Sequence, residues 1–164
     1  AYRDGGAKIS KAAGVQELIA STCDLRSAAP YLFETTGKDW LDNELLGEEV
    51  FGPLGLIVRA QNMDELLDIA KSLKGQLTCT IHLDDGDSED AQNLLPILER
   101  KAGRILANGF PTGVEVCDAM VHGGPYPAST NFGATSVGTL SIRRFLRPVS
   151  YQNIPESVLP SDLV

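Results

Sequence analysis

Residues 54–83, LGLIVRAQNMDELLDIAKSLKGQLTCTIHL, predict a strand, a helix and a second strand in that order. The first strand is the apolar run Leu54 to Ala60, and the second is Thr78 to Leu83, where Thr, Cys and Ile follow one another. Between them, apolar residues recur at helical spacing: Met63, Leu66, Leu67, Ala70 and Leu73. Asn62 can cap this helix, with an acidic residue three positions later to complete a capping box, and Gly75 is expected to end it.

The same alternation continues downstream. Asp84-Asp85-Gly86-Asp87 is expected to form a turn that starts a second helix, whose apolar positions are Ala91, Leu94, Leu95 and Leu98. Pro96 predicts a kink or a break, because proline removes a backbone hydrogen bond and crowds the preceding turn. A further strand is expected over Arg104 to Asn108. This order suits an α/β fold, a parallel sheet with crossover helices and ligand-binding loops at the carboxyl ends of its strands.

The flanking segments carry weaker patterns. Upstream, a helix is expected within Ala1 to Ala13 and a strand over Val15 to Ala20, whereas Asp39 to Asn43 is polar and typical of a turn. Downstream, the Gly- and Pro-rich residues 109–127 show no helical or strand period, which is typical of a functional or disordered loop. A last helix is expected over Val137 to Phe145 and an extended tail over Pro148 to Ile154.

Length, composition and charge indicate the size of the domain and the kinds of partner that we do not expect to bind it. The 164 residues, 43% of them hydrophobic, are enough for one domain or part of a larger one. A net charge of −8 repels phosphate backbones and anionic lipids, so we expect neither nucleic-acid nor membrane partners. No apolar run is long enough to span a bilayer, and the first residues lack the pattern of a signal peptide, which predicts a cytoplasmic protein. The absence of an initial Met suggests further sequence upstream of Ala1.

Cysteines and histidines are too few and too scattered for a disulfide framework or a metal centre. Cys23, Cys79 and Cys117 have no C-x-x-C spacing and are expected to be reduced thiols. His82 and His122 lie far apart in sequence, and we predict no metal. The acidic residues at 84–90 do not have the spacing of a calcium loop.

The segment whose side chains most clearly suggest a binding role is Glu49-Val50-Phe51-Gly52-Pro53. Glu49 and Phe51 would point the same way in an extended chain, and a turn dipeptide follows them. Spacing alone favours a solvated acid beside a core aromatic. The alternative is that the carboxylate accepts hydrogen bonds from two sugar hydroxyls while the aromatic ring supports a flat heteroaromatic ring, as a nucleotide cofactor would require.

This segment resembles the E-x-F-G-P signature of the aldehyde dehydrogenase superfamily, and the resemblance covers nearly the whole chain. Phe33-Glu34-Thr35-Thr36 upstream and Gly103-Arg104-Ile105-Leu106-Ala107-Asn108 downstream follow in the order that the family uses. The resemblance implies the second half of the family's Rossmann-like catalytic domain. It also implies that Glu49 binds the nicotinamide ribose of NAD or NADP and that Phe51 packs near the nicotinamide.

The loop after Asn108 is similar to the branch that contains 2-oxoglutarate semialdehyde dehydrogenases and bacterial fatty aldehyde dehydrogenases. Its matching segments are Asn108 to Val116 and Met120 to Ser129. The resemblance implies that this loop lines the aldehyde entrance, with Phe110, His122 and Tyr126 as candidate residues. His122 either assists a catalytic thiolate, as base or as imidazolium partner, or only hydrogen-bonds the loop.

The family mechanism begins with a cysteine thiolate that attacks the aldehyde and ends with water, activated by a Glu, that cleaves the thioester. Neither residue is identified in this chain, because none of the three cysteines has the neighbours of the family's nucleophile. We therefore expect a C-terminal fragment that is inactive by itself. Residues 1–135 would belong to the catalytic domain and residues 136–164 to a C-terminal helix and an oligomerisation tail, with Arg147 to Ile154 contacting another subunit.

The parent protein is expected to oxidise an aldehyde to its acid, with 2-oxoglutarate semialdehyde as a candidate substrate. Two alternatives stay open. A related acyl-group reductase would run toward the aldehyde, and a non-catalytic nucleotide-binding or assembly module would perform no chemistry. The choice between NAD and NADP is open as well, because the residues that contact the adenosine ribose are not identified in this chain.

Overall fold

The computed structural model describes residues 1–22, 27–111, 113–131 and 133–163. Helices and strands fill the first two thirds of the chain in this order: α1 (Tyr2–Ser10), β1 (Gln16–Ile19), β2 (Tyr31–Thr36), α2 (Gly37–Asp42), β3 (Leu54–Arg59), α3 (Met63–Ser72), β4 (Gln76–Ile81), α4 (Ser88–Leu98) and β5 (Ala102–Ala107). Short 3-10 helices follow the same order: Glu44–Gly47, Asp85–Asp87, Thr139–Phe145 and Glu156–Val158. No helix among the described residues is long and apolar enough to cross a membrane.

Parallel strand pairs joined by helices confirm the α/β fold. β2 and β3 pair in parallel from Tyr31 opposite Leu54 to Thr36 opposite Arg59, and β1 adds to β2 in the antiparallel sense. β4 and β5 form a second parallel pair, connected by α4. Contrary to the simplest sequence prediction, no ladder among the described residues joins β3 to β4. Side chains of both strands instead line one cavity of about 860 Å³.

β2 is the central strand of the first sheet and is absent from the sequence prediction. Its residues alternate in exposure, and Phe33 is completely buried, with Thr35 3% exposed. Phe33 forms the main core cluster with Ile9 of α1 and Leu46, while Tyr31 stacks on it at a centroid distance of 5.8 Å. Burial of this one aromatic ring therefore joins the first helix, the first sheet and the 3-10 helix that precedes β3.

Residues 37–42 form the short helix α2, so the prediction of a turn at Asp39 to Asn43 was wrong for most of that segment. Thr36 explains the helix, because its Oγ1 accepts a hydrogen bond from the Asp39 backbone N–H at 3.1 Å. A capping threonine at the end of β2 thus starts a helix directly from a strand.

The cap of α3 is confirmed, whereas its predicted end is not. Asn62 Oδ1 accepts from the Glu65 backbone N–H at 2.9 Å, and the Glu65 carboxylate accepts from the N–H of Gln61. The helix ends at Ser72, three residues before Gly75. A side chain at Gly75 would collide with the backbone carbonyl of Pro125, so close chain approach rather than helix termination explains this glycine.

α4 continues through Pro96 to Leu98, so the predicted break does not occur. A capping box of Asp84 and Asp87 starts the 3-10 helix Asp85–Asp87 that leads into α4, and in it the Asp84 backbone N–H donates to Asp87 Oδ2 at 2.9 Å. The predicted last helix is the 3-10 helix Thr139–Phe145. The tail over 147–154 contains no strand among the described residues, and Val149, Tyr151 and Ile154 are exposed.

Candidate functional site

The E-V-F-G-P segment, Glu49 to Pro53, ends in a turn at Gly52 that leads directly into β3. Gly52 has φ +147, which favours glycine, and a side chain there would collide with the ring of Tyr2. The Pro53 carbonyl accepts from the Tyr31 N–H at 3.0 Å, which fixes the turn against β2. Val50 packs against the core cluster, so the residues on either side of it are left facing outward.

Glu49 and Phe51 both line the 860 Å³ cavity. Phe51 is 83% exposed and lies outside the core of the described residues, whereas spacing alone favoured a core position. Glu49 is exposed as well, and among the described residues its carboxylate makes no hydrogen bond or ion pair. A carboxylate without a partner among the described residues and an exposed aromatic ring thus line one concave surface. Binding of a ribose and a flat heteroaromatic ring requires this arrangement.

An ion pair that could not be read from the sequence flanks this surface. Lys74, two residues beyond α3, donates to the Glu48 carboxylate at 2.7 Å. Hydrogen bonding and charge attraction from Lys74 lower the pKa of Glu48, and the same two effects from Glu48 raise the pKa of Lys74. The partners are 26 residues apart, so no local pattern predicts the pair. It ties the segment before Glu49 to the end of α3.

Cys79 of β4 lines the same cavity but has the chemistry of an inert thiol. Burial raises its pKa, which keeps the sulfur protonated near neutral pH. Among the described residues, no basic or cationic side chain lowers this pKa again. Cys79 and Cys117 are both free, and Cys23 lies outside the described residues. The structure thus gives Cys79 no feature of a catalytic nucleophile.

Asn108 closes the carboxyl ends of β4 and β5. Its side chain donates to the Leu83 carbonyl at 2.9 Å and accepts from the Leu83 N–H at 2.8 Å. Its backbone adopts φ 51, a left-handed conformation that asparagine tolerates better than most residues. This residue fixes where the long loop leaves the sheet. The sequence offers one signal for this turn, because Asn108 stands between a strand and Gly109.

His122 is held to the loop through Ser136. Its Nδ1 lies 2.7 Å from Ser136 Oγ, and that hydroxyl donates to the His122 carbonyl at 3.0 Å. Where Ser136 Oγ gives its single hydrogen to this carbonyl, it accepts from Nδ1–H, and Nε2 is then the ring nitrogen left to face other groups. The backbone N–H of His122 donates to Thr135 Oγ1 at 2.8 Å. The side chain is exposed, so Nε2 is accessible.

The three predicted entrance residues are not gathered into one cavity. His122 lines two small cavities beside Leu77. Tyr126 lines a different one of about 420 Å³ with Ala102. Phe110, 79% exposed, stands with its ring centroid 6.0 Å from that of His82 at the end of β4. A shared entrance formed by these residues stays a prediction.

Glycines let the loop lie against the second sheet. A side chain at Gly103 of β5 would collide with the Gly123 carbonyl, and one at Gly124 would collide with the Gln76 carbonyl of β4. Backbones this close leave no room for a Cβ atom.

Among the described residues, no group of three or more His, Cys, Asp or Glu side chains could hold a metal ion.

Comparison with known proteins places the chain in a family, although no protein-family model matches it. It is 49% identical to alpha-ketoglutaric semialdehyde dehydrogenase 2 of Azospirillum brasilense over 99% of this chain and 31% of the relative. It is 50% identical to alpha-ketoglutaric semialdehyde dehydrogenase of Acinetobacter baylyi over 85% of this chain and 27% of that relative.

A likeness to solved structures supports the fold. The delta-pyrroline-5-carboxylate dehydrogenase of Mycobacterium tuberculosis superposes with a TM-score of 0.66 at 19% identity, over 95% of this chain and 30% of that one. The chain spans about a third of the length of the curated relatives that it matches. Sequence identity across its whole length, together with this shared fold, leads to one conclusion: the chain belongs to the aldehyde dehydrogenase superfamily.

Proposed function

We propose that this chain is part of an NAD- or NADP-dependent dehydrogenase that oxidises 2-oxoglutarate (alpha-ketoglutaric) semialdehyde to the acid. The observation that carries the proposal is its identity of about one half to two relatives named for that substrate. The exposed pair Glu49 and Phe51, on one concave surface, supplies a physical reason for cofactor binding in this part of the protein.

In this proposal, the Glu49 carboxylate accepts hydrogen bonds from the ribose hydroxyls nearest the nicotinamide, and the Phe51 ring packs near the nicotinamide. A bound nicotinamide cofactor would accept a hydride from the substrate. The Glu48–Lys74 pair positions Glu49 by fixing the residue before it. Exposure of both side chains supports this role.

His122, Phe110 and Tyr126 are proposed to line the aldehyde entrance. With Nδ1 held by Ser136, His122 presents Nε2 as a base or, after protonation, as a cation beside a thiolate. No cysteine of this chain is assigned as that thiolate.

We further propose that residues 1–135 form part of the catalytic domain and that residues 136–164 contact another subunit. Exposed apolar side chains in the second segment support this division: Ile142, Phe145, Leu146, Val149, Tyr151, Ile154 and Val158. The free thiols of Cys79 and Cys117 suit the reducing environment of the cytoplasm.

The test uses the intact protein that carries this chain. Reduction of NAD and of NADP is followed with 2-oxoglutarate semialdehyde as substrate, and cofactor binding is measured by calorimetry. We expect aldehyde-dependent reduction, and we expect Glu49→Gln to weaken cofactor binding by roughly tenfold, since it removes charge-assisted hydrogen bonds.

Glu89→Gln is the matched control, because Glu89 is an exposed acid at the start of α4. It should leave both measurements unchanged. Cofactor binding without aldehyde-dependent reduction would replace the proposal with a non-catalytic nucleotide-binding module. Thioester-dependent oxidation of the reduced cofactor, without aldehyde oxidation, would replace it with an acyl-group reductase.

A further inference from the structure

A small cavity of about 300 Å³ lies beside His122, at β4 and β5. Its described lining includes the apolar side chains of Leu77 and Val114 and the polar side chains of Thr78, Arg104 and His122. Thr78 and Arg104 are paired in the parallel ladder, so the two side chains are neighbours on one sheet face. No acidic residue is among the described residues that line this cavity.

Arg104 has unused hydrogen-bonding capacity. One of its terminal nitrogens, Nη1, donates to the Gly113 carbonyl at 2.6 Å and contacts Met120 Sδ at 3.6 Å. Its Nε is buried and has no hydrogen-bond partner. In the part of the chain that the structure describes, no carboxylate pairs with this guanidinium. The chain has 22 acidic residues, so this lack of a partner is notable.

The other terminal nitrogen of Arg104, Nη2, makes no hydrogen bond among the described residues, so the guanidinium keeps a free donor beside the cavity. A guanidinium can hold a carboxylate through two parallel hydrogen bonds, a geometry that no ammonium group reproduces. The cavity volume is at the lower limit for small-molecule sites, which suits a short carbon chain that ends in a carboxylate.

We propose that Arg104, assisted by the Thr78 hydroxyl, binds the carboxylate of the substrate. The ligand class is a short aldehyde with a carboxylate at its far end. This inference rests on the proposed dehydrogenase function and deepens it, because it assigns the residue that selects acidic aldehydes over neutral ones.

The experiment compares two aldehydes of equal chain length, succinic semialdehyde and butanal, which differ in the carboxylate. In the intact protein we expect a preference for succinic semialdehyde. Arg104→Gln should lower kcat/KM for succinic semialdehyde by roughly tenfold to a hundredfold, mainly through KM, because charge-assisted hydrogen bonds are lost. The kcat/KM for butanal should stay within about threefold. Arg104→Lys should restore only part of the preference.

Arg59→Gln is the control for loss of one positive charge, because Arg59 is exposed on β3 and pairs with Glu34. It should leave the preference unchanged. An equal loss for both aldehydes in Arg104→Gln would overturn the inference and assign Arg104 a structural role. The absence of any preference in the wild type would also overturn it.

Succinate binding, measured by calorimetry, separates this inference from the proposed function. If neither aldehyde is oxidised, the dehydrogenase proposal fails, and the carboxylate site is judged by binding alone. Loss of succinate binding in Arg104→Gln and weakened binding in Arg104→Lys, with circular dichroism spectra like that of the wild type, would support the site. Equal binding by wild type and variants would refute it. If Arg104→Gln does not fold, the Arg104→Lys comparison decides.

Discussion

The first sheet and the loop after β5 keep their shapes by different means. In the first sheet, apolar residues from α1, β2 and the segment before β3 surround the buried ring of Phe33. Beyond residue 108, the buried residues among those described are Gly123, Gly124 and Thr135. Hydrogen bonds, such as that from Thr135 Oγ1 to the Val137 carbonyl, hold this region. One region is stabilised by burial of apolar area and the other by individual polar contacts and close backbone approach.

The largest expected effect comes from emptying the first core. Phe33→Ala should lower the free energy of unfolding by about 3–5 kcal/mol, because it removes a fully buried ring and leaves a cavity. Phe51→Ala is the matched control, since the same side chain at position 51 is 83% exposed and should cost little. Urea denaturation measures both. Equal losses for the two variants would contradict the assignment of Phe33 as the centre of the core.

The second effect tests close backbone approach. Gly103→Ala places a methyl group against the Gly123 carbonyl and should cost about 1–3 kcal/mol, or displace the loop from β5. Thermal unfolding and limited proteolysis of residues 109–138 report the two outcomes. Gly86→Ala is the control, because no atom lies within 4 Å of the added methyl group. Unchanged stability together with an unchanged proteolysis pattern in Gly103→Ala would show that the loop does not need this contact.

This difference between the regions also explains what the sequence could predict. The α3 helix follows from apolar periodicity and from the cap at Asn62, because both signals are local. β2 also carries a local signal, because a run of aromatic and β-branched residues is typical of a strand. The α2 helix could be predicted only after the end of β2 was known, because Thr36 is both the last residue of that strand and the cap of the helix.

The candidate site was predictable only in part. The family resemblance identified Glu49 and Phe51, and the structure adds that both line one cavity. The contacts of Lys74, Ser136 and Arg104 join residues that lie nine or more positions apart, so no short motif reveals them. Hydrophobic periodicity records which face of an element is buried, but it carries no information on such polar pairs.

The third effect concerns the polar contacts of the loop. Ser136→Ala removes the hydroxyl that joins the ring and the carbonyl of His122, and should cost about 0.5–1.5 kcal/mol. Nitrogen NMR of the imidazole should show the Nδ1–H tautomer in the wild type and a mixture in the variant. Ser150→Ala, at an exposed residue, serves as the control. A wild-type ring with its proton on Nε2 would refute the hydrogen-bond assignment.

The smallest effect comes from the exposed Glu48–Lys74 ion pair, a polar contact at the cavity that Glu49 and Phe51 line. Because Lys74 lowers the pKa of Glu48, the stability from this carboxylate is present above its ordinary pKa, about 4.3, and is lost as pH falls through the lowered value. Because Glu48 raises the pKa of Lys74, the contribution of the amine is present below about 10.4 and is lost as pH rises through the raised value.

The difference in melting temperature between wild type and Glu48→Gln should therefore be small and constant from roughly pH 5 to pH 10, and should disappear toward pH 3. Added salt should reduce it, since both side chains are more than half exposed to solvent. Glu89→Gln provides the baseline for loss of an exposed acid without a cationic partner among the described residues. A difference that persisted at pH 3 and in high salt would mean that packing of the Glu48 side chain, rather than its charge, holds the segment before Glu49.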